Sequence, residues 1–359
     1  MRSYSSETHL GPHNFLEPEK ESGVISRLVE KTKDEAMRPH RVSSALIMIA
    51  LLSFGANFSF AYQSFVRQGL EPELYVKSGL GSDDGSMVGQ PPRFVPSTHY
   101  QAIENPPPLN LSAESYLIAD AETGEIIFEK EADTQHPMAS VTKFMTAIIA
   151  REHIDSHHEI TISKESLNSY GTEGGLVAGE KILVSDLYYP LLIESSNDAA
   201  EVLADDFGRE SFLDLLNERA ADLTMYSTMY KDPSGLSPDN LTSAHDLTKL
   251  GLYVFSAYPE LLDVTRVKQY GILGHTWINS NLFLTYPNFL GGKNGFINES
   301  KKTTLSFFRV NFRGSDPLSK AVDRPLVLVL LKSNDRDSDA ALLLSYVTRN
   351  IRYVDQAPE

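Results

Sequence analysis

Not one of the 359 residues is a cysteine, so this chain can build no disulfide framework, thiolate metal site or thiol nucleophile. Basic residues are also scarce: 32 Lys and Arg stand against 48 Asp and Glu, a formal net charge of −16. No nucleic-acid partner is expected, because neutralising phosphates needs a basic face and no stretch supplies one. Long apolar runs are nearly missing as well. The exception is "SSALIMIALLSFGANFSFAY", residues 43–62, uncharged and about as long as a helix needs to be to cross a bilayer core.

That run organises the N-terminal part. Lys31, Lys33, Arg38 and Arg41 precede it, whereas only Arg67 and Lys77 follow at comparable distance, so the basic side is expected in the cytoplasm and the rest outside. Residues 1–42 mix both charge signs with few large apolar residues and read as a mobile cytoplasmic tail. Residues 43–62 read as a transmembrane signal-anchor. Ser59 and Ala61 leave a cleaved signal peptide as the competing reading, against which the long leader argues. Residues 63–111 carry "GSDDGS", "QPPRFVP" and "ENPPPLN", a Pro/Gly-rich linker composition.

With 41% hydrophobic side chains the chain can bury a sizeable core, and the globular part is expected over residues 112–355. "SYLIADA" and "EIIFEK" are β-rich runs around a turn at "ETG". Helical spacing follows at 140–153, in "SSNDAAEVLADDF" with Asn197 or Asp198 as its cap, and in "SFLDLLNERAADL" and "SAHDLTKLGLYVFSAY". Strands return at 303–312 and 325–333 before a closing amphipathic helix near 338–352. Strands at both ends of a helical block must pair into one sheet, which makes an α+β domain.

"HPMASVTKFMTAII" places Ser140 three residues before Lys143, on one face of a helix. A serine hydroxyl becomes a nucleophile when a neighbouring base takes its proton, and a lysine serves only when neutral. Phe144, Met145 and Ile148 supply the apolar setting that lowers a lysine pKa. Alone, Ser-x-x-Lys also fits a helix cap beside a surface lysine. Two further stretches add weight: "ESSNDAA" brings Ser195 and Asn197, and "GGKNGF" brings Lys293, Asn294 and Gly295 just before the late strands. Ser-x-x-Lys, Ser-x-Asn and Lys-Thr-Gly, in this order, mark penicillin-interacting serine enzymes.

Residues 112–355 resemble the low-molecular-mass penicillin-binding proteins, serine-type D-alanyl-D-alanine carboxypeptidases and endopeptidases. "ADAETGEIIFEKEAD", "HPMASVTKFMTA", "LLIESSNDAAEVLA" and "KDPSGLSPDNLTSAHDL" carry the likeness. The resemblance implies a five-stranded antiparallel sheet flanked by helices, with a helical subdomain and the site between them. It implies Ser140 as nucleophile, Lys143 as base and Ser195 as proton relay. Asn197 would bind a substrate amide and hold Lys143, and Lys293 would meet the substrate carboxylate. Backbone N–H groups of Ser140 and Phe296 would hold the oxyanion, and the peptide would add as a strand along the edge. Gly295 would keep that approach open. Peptidoglycan stem peptides as substrates, β-lactams as inhibitors and no cofactor follow from the same resemblance, with the N-terminal segment as membrane attachment. Asn294 departs from the family's threonine, from which weaker carboxypeptidase activity or an endopeptidase preference is expected.

Rival readings are weaker. A class A β-lactamase needs a deacylating glutamate after the Ser-x-Asn pair, and Glu165 in "KESLN" lies before it. Ser166 and Asn168 form a second Ser-x-Asn that reads as a solvated turn. His153, His157, His158 and Glu159 could suggest zinc, but they read as a polar helix end. His245 and Asp246 read as a helix cap, and Tyr188 and Tyr189 as core. From another class, a catalytically silent wall-binding protein has Asn294 as its support.

Overall fold

"SYLIAD" and "PLVLVLLKS" are apolar at nearly every position, as strands buried on both faces are. They meet in the computed structural model, which describes residues 93–94, 99–172, 174–314 and 320–354. The main sheet has eight strands: β1 (Arg93–Phe94), β2 (Tyr100–Ala102), β3 (Ser115–Asp120), β4 (Ile126–Lys130), β11 (Phe289–Ile297), β12 (Lys301–Gly314), β13 (Val322–Ser333) and β14 (Ile351–Tyr353). Three two-stranded ribbons sit outside it: β5 (His136–Pro137) with β8 (Leu241–Thr242), β6 (Glu159–Thr161) with β7 (Lys181–Leu183), and β9 (Gln269–Ile272) with β10 (His275–Ile278).

The five longest strands run β4-β3-β13-β12-β11, antiparallel throughout, which is the expected five-stranded sheet. Three short strands extend it. β1 pairs with β4, β14 runs parallel to the end of β12, and β2 pairs with β14. β1 and β2 fall inside residues 63–111, so the sheet begins earlier than composition indicates and the boundary at 112 is corrected. Tyr100 is buried, and its hydroxyl donates to Asp120, which also holds Arg324 at 2.7 Å. Leu109 is buried too. Edge strands of two and three residues carry no readable period, so the surrounding prolines dominate the reading. The backbone N–H of Val354 donates to His99 O at 2.8 Å, so the last described residue meets one at the start of β2. The expected tail (1–42) and span (43–62) lie outside the described residues. Among the described residues no helix is long and apolar enough to cross a membrane.

Among the described residues there are seven helices: α1 (Lys143–His153), α2 (Val184–Tyr189), α3 (Asn197–Phe207), α4 (Arg209–Asp222), α5 (Ala244–Ala257), α6 (Pro259–Arg266) and α7 (Arg336–Asn350). One core joins Leu117, Leu305 and Val327 of the sheet to Phe144 and Ile148 of α1 and Leu250 of α5. A second joins Ile118, Phe308 and Leu328 on the opposite face to Leu343 and Val347 of α7. Alternate residues of one strand thus serve two cores, which explains the missing polar face. From Lys143 to Ala150, α1 is buried on every side. A helix so placed is apolar all round, which makes its single lysine conspicuous.

Candidate active site

The nucleophile turn is gripped by its neighbours. The expected helix over 140–153 is a 3₁₀ turn, Ala139–Thr142, running into α1, and Ala139 has a left-handed φ of 51°. The loop after Asp232 holds this turn. The Asp232 carboxylate accepts from the backbone N–H groups of Ser234, Gly235 and Ser237 at 2.7, 2.5 and 2.5 Å. Gly235 then lies against the turn, where a Cβ would stand 2.0 Å from Ala139 O.

Ser140 and Lys143 come together as expected. Lys143 is fully buried, and its Nζ donates to Ser140 Oγ at 3.0 Å, Asn197 Oδ1 at 2.8 Å and Ser234 O at 2.5 Å. Burial lowers its pKa to about 7, although the carboxylates of Asp232 and Glu201 pull the other way. The amine therefore has three partners and still carries no obligatory charge near neutral pH. That is the condition for a lysine base.

Asn197 is held as firmly. Its Nδ2 donates to Tyr170 O at 2.7 Å and its backbone N–H to Thr172 O at 2.7 Å. With its oxygen on Lys143, one side-chain N–H is left for the substrate amide the resemblance implied. Because Asn197 is committed to the lysine, the cap of α3 falls to Ser196, whose Oγ accepts from Ala199 N at 3.0 Å. This corrects the expectation of Asn197 or Asp198.

Ser195 follows the π-helical turn Pro190–Glu194 in the left-handed region, φ 71°. Such backbone is disfavoured for a serine and is typical of functional sites. Ser195 Oγ receives a hydrogen bond from Lys293 Nζ at 2.8 Å, and Lys293 also donates to Asn294 O at 3.0 Å. Burial, then the neighbouring cations Lys143 and Arg336, press the Lys293 pKa well below its ordinary value. Two hydroxyl–amine pairs thus stand in one buried region, and Asn197 joins α3 to the first of them.

β11 closes the site. It pairs with β12 on one side, and among the described residues no strand pairs its other edge. Gly295 is required here, for a different reason from the one the sequence suggested. A Cβ would lie 2.5 Å from Thr303 Oγ1 and 2.9 Å from both Met138 O and Ser140 N. The missing side chain lets the edge strand touch the nucleophile turn. Phe296 is exposed beside it. A cavity of about 180 Å³ adjoins the strand, lined by Leu192, Asn281, Lys293, Asn294, Phe296 and Arg336 among others. Asn281 and Arg336 were not singled out by sequence reasoning. Arg336 reaches Gly295 O and Thr303 O at 3.4 Å from the first turn of α7, and no motif marks it.

Other candidates fall away. Among the described residues no group of three His, Asp or Glu side chains forms a metal site, and His157 and His158 face separate carboxylates, Asp155 and Asp206. His245 bridges Glu129 and Asp133, and the α5 cap is Ser243, not His245 or Asp246. Glu165 is exposed, whereas Ser166 is buried against Ser163 at 2.7 Å rather than solvated. Tyr188 is buried in the core and Tyr189 stacks on Tyr270.

A sequence profile of the family described as D-alanyl-D-alanine carboxypeptidase matches residues 100–307, more than half of the chain. The D-alanyl-D-alanine endopeptidase of Pseudomonas aeruginosa is 34% identical over 156 residues, 42% of this chain and 50% of that protein. The endopeptidase of Haemophilus influenzae is 32% identical over 204 residues, 52% of this chain and 68% of that protein. The match thus spans about half the length of the first relative and two thirds of the second. Among solved structures, a Streptomyces DD-transpeptidase superposes with TM-score 0.59 at 25% identity, over 68% of this chain and 98% of that one. A D-alanyl-D-alanine carboxypeptidase of Mycobacterium tuberculosis gives TM-score 0.61 at 24% identity, over 68% and 94%. Joined to a strained Ser140 turn and a buried Lys143, these likenesses establish that the chain belongs to the D-alanyl-D-alanine carboxypeptidase family of serine peptidases.

Proposed function

We propose that this protein is a serine DD-peptidase that cleaves the D-Ala-D-Ala bond, or the equivalent cross-link bond, of peptidoglycan peptides through an acyl-enzyme. One observation carries the reading: a fully buried amine with pKa near 7 lies 3.0 Å from the Ser140 hydroxyl. Neutral Lys143 takes the Ser140 proton as Oγ attacks the carbonyl. The oxyanion rests on the backbone N–H groups of Ser140 and Phe296. Ser195, polarised by Lys293, passes a proton to the leaving amine as the C–N bond breaks and takes in return the proton Lys143 had removed from Ser140, which leaves the lysine neutral again. Water then hydrolyses the Ser140 ester, with the same lysine as base. Every step uses side chains, backbone donors and water.

A penicillin enters the same first step, and its acyl-enzyme persists because no carboxylate hydrogen-bonds Ser140 or Ser195 among the described residues. β-Lactams are therefore inhibitors here. The direct test is labelling with a fluorescent penicillin. Label on the wild type and none on Ser140→Ala supports the reading, with D-alanine or cross-link release from defined muropeptides fixing the bond. Failure of the wild type to label favours a silent wall-binding homologue. We further propose that residues 43–62 anchor the protein in the bacterial membrane with the domain outside. The charge asymmetry around that run supports this, and membrane fractionation before and after its deletion tests it.

A further inference from the structure

Ser195 keeps a left-handed backbone, φ 71°, which a serine adopts only where its surroundings impose it. The π-helical turn Pro190–Glu194 precedes it and Ser196 follows it, and the ribbon β9–β10 bears on both. On the first flank Ser280, just past β10, donates its backbone N–H to Ile193 O at 3.3 Å. Tyr270 of β9 stacks on Tyr189 with ring centres 3.6 Å apart, and its hydroxyl donates to Asp186 Oδ1 at 2.6 Å.

The second flank is reached by Trp277 of β10, the one tryptophan in the chain. Its indole is buried and stacks nearly parallel to Tyr270, its cross-strand partner, at 6.1 Å and to His275 at 5.3 Å. The ring N–H donates to Gly174 O at 2.7 Å. Gly174, at φ 84°, rests directly on Ser196, where a Cβ would stand 2.5 Å from Ser196 Oγ. Ser196 is the middle residue of Ser195-Ser196-Asn197. Contact therefore passes from Trp277 to Gly174 to Ser196, and from there along the backbone to Ser195. Asn197 depends on it less, because it has separate ties to Tyr170 O, Thr172 O and Lys143.

We propose that Trp277 is a positioning residue for Ser195, its indole N–H acting through Gly174 and Ser196 to aim the relay hydroxyl at the leaving amine. The inference rests on the peptidase reading of the site and adds a residue that lies outside the signature motifs. Without that N–H, Gly174 O loses its indole donor, Gly174 no longer fixes Ser196, and Ser195 shifts. Ser140 and Lys143 keep their places, since their contacts run to Asn197, Ser234 and each other. The loss falls on proton delivery to the leaving group and spares the attack.

The test compares two substrates that differ in the leaving atom: Nα,Nε-diacetyl-L-lysyl-D-alanyl-D-alanine and the thiolester with D-thiolactate as its last residue. An amine leaves only with a proton, whereas a thiolate leaves without one. Because the chain has a single tryptophan, expressing it with benzothienylalanine in place of tryptophan exchanges that ring N–H for sulfur and alters no other residue. In the full chain carrying this isostere, kcat/KM for the amide is expected to fall at least about tenfold and that for the thiolester less than about twofold. Trp277→Phe is expected to lower the amide-to-thiolester ratio in the same direction. Thiolester turnover also shows that the altered protein folds. Unchanged amide cleavage by the isostere, or an equal loss on both substrates, would overturn the proposal, the second result by assigning Trp277 to packing alone. A wild type that cleaves neither substrate, or Ser140→Ala that cleaves both as well as the wild type, would instead overturn the peptidase reading and the proposal with it, so the two failures are distinguishable.

Discussion

Burial and basicity work together at Lys143. A fully buried ammonium is disfavoured, so the group sheds its proton near pH 7 instead of near 10.5. The neutral form is the base, so acylation of Ser140 by penicillin should increase about fivefold from pH 6 to 7 and level off above about pH 8. Stopped-flow labelling across that range measures it. A second consequence concerns stability. Between about pH 7 and 10 the unfolded chain binds a proton at this lysine that the folded chain does not, so its contribution to unfolding free energy rises with pH over that window. Urea titrations at pH 7 and 9 should show the increase, and Lys143→Met should reduce it. The same substitution should slow acylation by about three orders of magnitude. Ser140 and Lys143 were legible in sequence because three residues along a helix brings two side chains together whatever the tertiary structure. Arg336 and Asn281 were not, because each reaches the cavity from a different element, and an arginine at a helix start or an asparagine in a loop has many ordinary uses.

Among the elements, the 3₁₀ turn depends on two neighbours that supply close contact and no chemistry. Gly235 presses on Ala139 O and Gly295 on Ser140 N. Gly235→Ala should displace the turn and lower acylation by about a hundredfold or more, the cost of misplacing a reacting atom by about 1 Å, with far-UV circular dichroism unchanged. Asp232 organises the loop that carries Gly235 and presents Ser234 O to Lys143. Asp232→Ala leaves several buried N–H groups without acceptors and should cost about 3 kcal/mol of stability in urea unfolding. Long elements were readable in advance: α5 and β13 lie where spacing and apolar runs put them. The cap of α3 was misassigned because Ser196, Asn197 and Asp198 are equally good caps in isolation. Only the contact between Asn197 and Lys143 decides among them.

In the molecule as a whole, two cores share one sheet, and the segment before residue 112 belongs to the second of them through Tyr100 and Leu109. A chain beginning at residue 112 should therefore melt about 10 °C below one beginning at residue 93, since it loses a buried tyrosine and leucine and strips Asp120 of a hydrogen bond. Differential scanning calorimetry of the two separates them. Sequence composition could not show this, because prolines around a short edge strand look the same as prolines in a tether. The hydrogen bond between Val354 and His99 has a practical sequel. A circular permutant that splices those two positions and opens the chain at the exposed Gly274 turn would lose β1, which precedes His99, and retain every other pairing of the eight-stranded sheet.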